Sequence, residues 1–175
     1  EAIEALIADT EGVELLSIEL CEDINWNAQW EAEHEIIELP LGVRITPHCA
    51  FGAGHHETTS MMIKALLQAK EQDWFAPNRN VLDMGCGTGI LGIMAKKCGA
   101  GQVVAVDIDD KSVANTLENA QSNAVELDVR LGSTPPDGEY DLILANIHRN
   151  ILIEHMPAYA KNLRESGELW LSGFY

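Results

Sequence analysis

Seven consecutive residues, Asp83-Met84-Gly85-Cys86-Gly87-Thr88-Gly89, carry the clearest chemical signal in the chain. They join a short apolar run, Asn80 to Met84, to an apolar segment, Ile90 to Cys98. That order predicts a glycine turn between a buried strand and a helix. Glycines suit a sharp turn at which a ligand lies against bare backbone. Twenty-two positions after Gly85, Asp107 ends a second apolar run, Gln102 to Ile108. A carboxylate there can accept hydrogen bonds from both hydroxyls of a ribose. The two features together point to an adenosine-bearing ligand at the carboxyl edge of a sheet.

Charge narrows the ligand. Gly87-Thr88-Gly89-Ile90-Leu91-Gly92 satisfies GxGxxG, so a nicotinamide dinucleotide has to be weighed, although that pattern alone is weak evidence. Asp83, two places before the first glycine, argues the other way, because a carboxylate there repels a diphosphate seated on the helix N-terminus. It suits the ammonium of a methionine tail. S-adenosylmethionine carries that ammonium and a sulfonium, and has no phosphate. Asp83, Gly85, Gly87 and Asp107 are therefore expected to hold S-adenosylmethionine. The alternative without a ligand is a plain glycine turn, with a buried Asp83 capping the helix.

Asn146 lies at the end of a third apolar run, Tyr140 to Ile147, and is expected at the same sheet edge. Its residue type is also common at strand-end turns. His148 is a candidate proton acceptor or a solvent-facing loop residue. His48, Cys49, His55, His56 and Glu57 crowd together, yet HHE lacks the second His of HExxH and no zinc spacing is met, so no metal is expected. A loop wall of hydrogen-bonding histidines is the simpler reading. Thr58 and Thr59 open a helix, where capping is the ordinary role. Met61, Met62, Met84, Met94 and Trp170 are expected in the core.

Positioning these groups takes alternating elements. Helices are expected over Thr58 to Lys70 and over Ile90 to Cys98, the latter closed by Gly99. A third, capped by Asp109 or Asp110, carries Val113, Leu117 and Ala120; a fourth runs through Leu152, Met156, Tyr159 and Leu163. Between them come the three apolar runs, a short strand Val129 to Leu131 and a final strand, GELWLSGF. Near-continuous apolar strands alternating with helices predict an α/β fold, a doubly wound (Rossmann-like) parallel sheet. Before it lie a helix over Glu1 to Ala8, a strand over Val13 to Cys21, a polar helix in EDINWNAQWEAEHE and an extended, proline-punctuated stretch. Residues 1–22 are too few to fold alone and read as an N-terminal appendage, 23–45 as a linker and 46–175 as the main domain.

The chain has 175 residues, 46% hydrophobic and 22% charged, which suits one globular core and excludes wholesale disorder. Twenty-eight acidic against 11 basic side chains give a net charge of −17. Such a surface repels phosphate, so a basic protein is a better partner than nucleic acid. No apolar run nears the roughly 18 residues of a membrane span. Cys21, Cys49, Cys86 and Cys98 form no CxxC pair, as expected of reduced thiols in the cytoplasm.

AFGAGHHETT (Ala50 to Thr59), VLDMGCGTGILGI (Val81 to Ile93), VVAVDID (Val103 to Asp109) and LILANI (Leu142 to Ile147) resemble the PrmA family, methyltransferases of large-subunit ribosomal protein eleven. EDINWNAQW is similar to that family's linker helix. The resemblance covers Glu22 to Tyr175 and implies a class I methyltransferase domain, with residues 1–22 the remnant of a substrate-recognition domain. The last helix and antiparallel strands of such a sheet are not within these residues. It further implies methylation of lysine and N-terminal amines on a basic ribosomal protein, with cofactor contacts at Thr59, Gly85, Asp107 and Asn146. The Asn146 carbonyl could accept from the incoming amine or hold the methionine portion. Enzymes that methylate glutamine amides carry Asn-Pro-Pro-Tyr where this chain has Asn146-Ile147-His148-Arg149, which argues against an amide acceptor.

Overall fold

The computed structural model describes residues 36–48 and 57–173. The expected elements before Ile36, together with Cys21, Cys49, His55 and His56, lie outside the described residues. Strands β1 (Ile37–Leu39) and β2 (Val43–Ile45) form an antiparallel hairpin around a 3-10 turn at Pro40–Gly42. There follow α1 (Glu57–Glu71), β3 (Val81–Met84), α2 (Ile90–Cys98), β4 (Val103–Asp107), α3 (Asp110–Ser122), β5 (Asp128–Leu131), β6 (Tyr140–Asn146), α4 (Arg149–Asn162) and β7 (Leu163–Ser172).

The last five strands make one parallel sheet, in the order β5-β4-β3-β6-β7. The chain winds outward from β3 through β4 to β5, then returns to lay β6 on the other side of β3. That reversal opens a crevice at the carboxyl ends of β3 and β6, where ligands of open α/β sheets bind. The expected α/β parallel architecture is what forms. Gly99 ends α2 in the left-handed conformation, its N–H on Ala95 O and Lys96 O, and Asp109 caps α3 through Lys111 N and Ser112 N. Both follow from the ordinary chemistry of helix ends.

Strand alternation sorts the core into two layers. Val81, Val103, Leu142 and Leu144 face α1 and α2, joined there by Ile37, Val43 and Ile45 of the hairpin. Leu82, Met84, Val104, Val106 and Ile143 face the opposite way, against Leu152 and Tyr159 of α4. The hairpin, expected as an extended linker, thus contributes buried side chains to the main core. Outside α3, three apolar residues depart from expectation. Met61 is exposed, Met156 lies half out of α4's buried stripe, and Leu163 leaves the helix to begin β7.

The largest departure is α3. Leu117, expected on its buried face, is 50% exposed, and Ala120 alone of the three expected residues is buried. The buried side is polar: Ser112, Asn115, Thr116, Asn119 and then Asn123 at the cap. Asn123 Oδ1 accepts from Arg44 N at 2.8 Å and its Nδ2 donates to Arg44 O at 2.6 Å. Asn119 makes the same pair with Thr46 at 2.9 and 3.2 Å. Asn115 accepts from His48 N at 3.1 Å and donates to Thr46 O at 2.9 Å. The match is geometric. Four helical residues rise about 6.0 Å and two extended residues about 6.6 Å, so an Asn on every fourth residue meets every second backbone unit. Three amides thereby satisfy the outer edge of β2 and its continuation, as a neighbouring strand would.

Asn123→Ala should therefore lower stability by about 1–3 kcal/mol, because two part-buried hydrogen bonds to the Arg44 backbone are lost together. Leu117→Ala should cost well under about 1 kcal/mol. Urea unfolding of the two variants tests this. The reverse ranking would show that α3 is held by its apolar residues after all.

Candidate active site

Every residue of β3 is buried, and alternation turns Asp83 toward α2 together with Val81. Its carboxylate, 1% exposed, accepts from Gly92 N at 2.8 Å through Oδ2. Gly92 is the third residue of α2, whose N-cap Gly89 supplies no side-chain cap. Asp83 caps the helix from beneath instead. A Cβ on Gly92 would lie 3.2 Å from that oxygen, closer than an ordinary contact. Burial pushes the Asp83 carboxyl up to about 7; the Gly92 N–H pulls it down and the nearby Asp107 charge pushes it further up. The carboxylate expected to face a ligand ammonium is thus also the helix cap of the alternative reading.

Above it, the loop is tied to β4. Gly85 N and Cys86 N both donate to Val106 O, and Gly87 N donates to Asp107 Oδ2 at 2.9 Å. Asp107 Oδ1 accepts from Asp109 N at 3.0 Å. Each oxygen keeps a lone pair, so Asp107 retains acceptor capacity at the sheet edge. Gly85 adopts φ +73°, and a Cβ there would collide with the Ile147 side chain. The protein's own Ile147 therefore occupies the space this glycine leaves. The Cys86 thiol is buried and pushed far up by desolvation, with Asp83 and Asp107 adding to the effect, so it is no nucleophile.

The second group forms at the ends of α1, β6 and β7. Asn146 Nδ2 donates to Thr59 Oγ1 at 3.0 Å, and Asn146 Oδ1 accepts from Ser172 Oγ at 2.9 Å. Ser172 is Asn146's register partner across β6 and β7. The amide is thus oriented from both sides, with one carbonyl lone pair left over. The structure brings Thr59 to Asn146, and Asp83, Gly85, Gly87 and Asp107 to one another; Ile147, packed on Gly85, joins the two sets. His148 is exposed at the start of α4 and makes no side-chain cap. His48 pairs with Glu118 at 3.0 Å, and among the described residues no three His, Cys, Asp or Glu converge as a metal site would. Nor is any described helix long and apolar enough to cross a membrane.

Sequence reasoning missed Ser172, Thr116 and Asn119. Thr116 Oγ1 donates to Gly87 O at 2.9 Å and Asn119 Nδ2 to Thr88 O at 2.9 Å, so both grip the glycine loop. The four-residue recurrence of Asn115, Asn119 and Asn123 was the available signal. Nothing near Ser172 marks it, since its partner is set by strand pairing.

The raised Asp83 carboxyl has a stability consequence. The unfolded chain releases this proton near the ordinary value of 3.8, while the folded chain holds it to about 7. Stability should therefore fall as pH rises between these values, by on the order of a few kcal/mol, and level off above. Urea midpoints at about pH 5 and pH 7.5 are expected to differ in this sense for the wild type and to converge in Asp83→Asn. A wild-type protein no less stable at the higher pH would contradict the burial of a charge here.

Known proteins resemble this chain in sequence and in fold. The model of the family described as ribosomal protein L11 methyltransferase (PrmA) matches residues 18–175. A ribosomal protein L11 methyltransferase of Porphyromonas gingivalis is 45% identical over 91% of this chain and 61% of its own length. One from Thermosipho melanesiensis is 42% identical over 80% of this chain and 53% of its own. The crystal structure of a ribosomal protein L11 methylase from Lactobacillus delbrueckii subsp. bulgaricus superposes with a TM-score of 0.61 at 35% identity, covering 69% of this chain and 62% of that one. A T. thermophilus 16S rRNA N2 G1207 methyltransferase, solved with AdoMet and guanosine, shares the fold with a TM-score of 0.66 at 20% identity, over 78% of this chain and 40% of its own. The chain spans about 61% of the length of the first curated relatives it matches. On the extent of the family match and the identity of these relatives, the chain belongs to the PrmA family of ribosomal protein L11 methyltransferases.

Proposed function

We propose that this chain is the catalytic part of a cytoplasmic, S-adenosylmethionine-dependent protein N-methyltransferase acting on lysine and N-terminal amines of ribosomal protein L11. The observation that carries the cofactor reading is Asp83 on Gly92 N. One of the free amides that this helix N-terminus offers an anion, Gly92 N, is already taken by the protein's own carboxylate, whose charge disfavours a diphosphate and favours a cationic ligand above it. Asp107, beside Gly87, would take the ribose hydroxyls, and Thr59 and Asn146 the methionine end. When bound, S-adenosylmethionine supplies a methyl group on a positive sulfonium. The names borne by the family and its relatives support the substrate.

The chain's own residues then have a limited task. A lysine amine at neutral pH must first lose a proton, at about 4–5 kcal/mol. Among the described groups at the site there is no strong base; the Asn146 carbonyl can accept one amine N–H and orient the lone pair, and water takes the proton. Thr59 Oγ1, acting as acceptor toward Asn146, keeps its hydroxyl proton to donate to a ligand. Positioning supplies much of the remaining acceleration. The net charge of −17 would draw in a basic substrate, an attraction that salt screens.

Incubating the protein with radiolabelled S-adenosylmethionine and ribosomes from a strain lacking the enzyme should label one small basic protein. Tight cofactor binding with no label on any ribosomal protein would favour a non-catalytic binding module. Asp107→Ala should weaken S-adenosylhomocysteine binding by about 1–3 kcal/mol through lost charged hydrogen bonds. Unchanged affinity would place the ribose elsewhere.

A further inference from the structure

Two successive carbonyls of the glycine loop, Gly87 O and Thr88 O, are held by side chains of α3. Thr116, wholly buried, donates from Oγ1 to Gly87 O at 2.9 Å. Asn119, 1% exposed, donates from Nδ2 to Thr88 O at 2.9 Å. These two carbonyls fix the peptide planes on either side of Thr88. The same Thr116 packs against Gly89, where a Cβ would come within 2.7 Å of its Cγ2. Gly87 and Gly89 both have positive φ, at 56° and 78°, a conformation that needs outside support to stay unique. On the remaining side, Gly87 N is held by Asp107. Asn119 does more than hold the loop, since its amide also pairs with Thr46 N and O. One buried side chain therefore bonds the cofactor loop and the continuation of β2 at once.

From this we infer that Thr116 and Asn119 are positioning residues for cofactor binding. They set the backbone that lies under the ligand without touching it, and Asn119 makes the loop's conformation depend on the seating of β2. The inference rests on the cofactor reading above. Asn123 supplies the internal control, as it belongs to the same Asn series and pairs with Arg44, yet makes no bond to the loop. A purely structural role would lower the stability of all three variants without separating their affinities for the cofactor.

The test is calorimetric titration of the full chain with S-adenosylhomocysteine, alongside thermal melting, for the wild type, Thr116→Val, Asn119→Ala and Asn123→Ala. Thr116→Val keeps a methyl group against Gly89 and replaces the hydroxyl, which meets Gly87 O and Cys86 Sγ, with a second methyl, so it carries the test if Asn119→Ala fails to fold. Thr116→Val and Asn119→Ala are expected to raise the dissociation constant at least about tenfold. Asn123→Ala is expected to melt earlier while its dissociation constant stays within about threefold of wild type. In turnover, Thr116→Val should raise KM for the cofactor and leave kcat nearly unchanged. Loop-contacting variants that bind as tightly as Asn123→Ala would overturn the positioning role while leaving the cofactor reading intact. A wild-type chain that binds no adenosyl compound would overturn that reading, and this inference with it.

Discussion

The bond from Gly92 N–H to the buried Asp83 carboxylate is the contact on which the proposed site depends. A helix N-terminus at the carboxyl edge of a parallel sheet ordinarily attracts a phosphate, because its first amides are unpaired and the helix dipole favours negative charge. Here the preceding strand inserts its own anion under that end. Desolvation resists the charge strongly enough to lift the carboxyl toward neutrality, so the site gains from any cation placed above it. The same interaction fixes where α2 begins relative to β3, and hence the span the glycine loop must bridge. The placement of α2 and, on the proposed reading, the preference for a cationic ligand both rest on this contact.

Around that contact the sheet's topology gathers its groups economically. β4 delivers Asp107 to the loop, β6 delivers Asn146, and the start of α1 returns to place Thr59 on Asn146. β7 contributes Ser172 to the other side of the same amide. Beneath the loop, α3 offers hydroxyl and amide groups where a helix of this kind ordinarily offers aliphatic ones. A buried amide is tolerable only when its donors and acceptors are met, and here backbone from two separate segments meets them. Among the described residues no buried side-chain nitrogen or oxygen lacks a partner.

Much of this was readable in the sequence, and the failures have physical causes. β3, β4 and β6 are near-continuous apolar runs, which only strands buried on both faces require, and Gly99 and Asp109 mark helix ends by local chemistry. The glycine loop and Asp107 fell to the same edge because strand ends and their spacing determine it. α3 was misread because hydropathy seeks an apolar stripe, and Asn115, Asn119 and Asn123 are silent on that scale. The hairpin's strands are extended, as its prolines suggest, but the turn that pairs them, with Leu41 at φ 62° and Gly42 at φ 69°, leaves no mark in the sequence pattern. Ser172 was invisible, since its role is set by the register of β7 on β6, a pairing that no local pattern records.

Occupation of the helix end by Asp83 is tested most directly by competition calorimetry with S-adenosylmethionine and NADH at about pH 5.5 and about pH 7. A carboxyl raised to about 7 by burial should make S-adenosylmethionine bind more tightly at the higher pH, as the cation draws the proton off Asp83. NADH should neither bind nor displace it. Displacement by NADH, or an affinity for S-adenosylmethionine that is the same at both pH values, would contradict the control of this crevice by a buried anion.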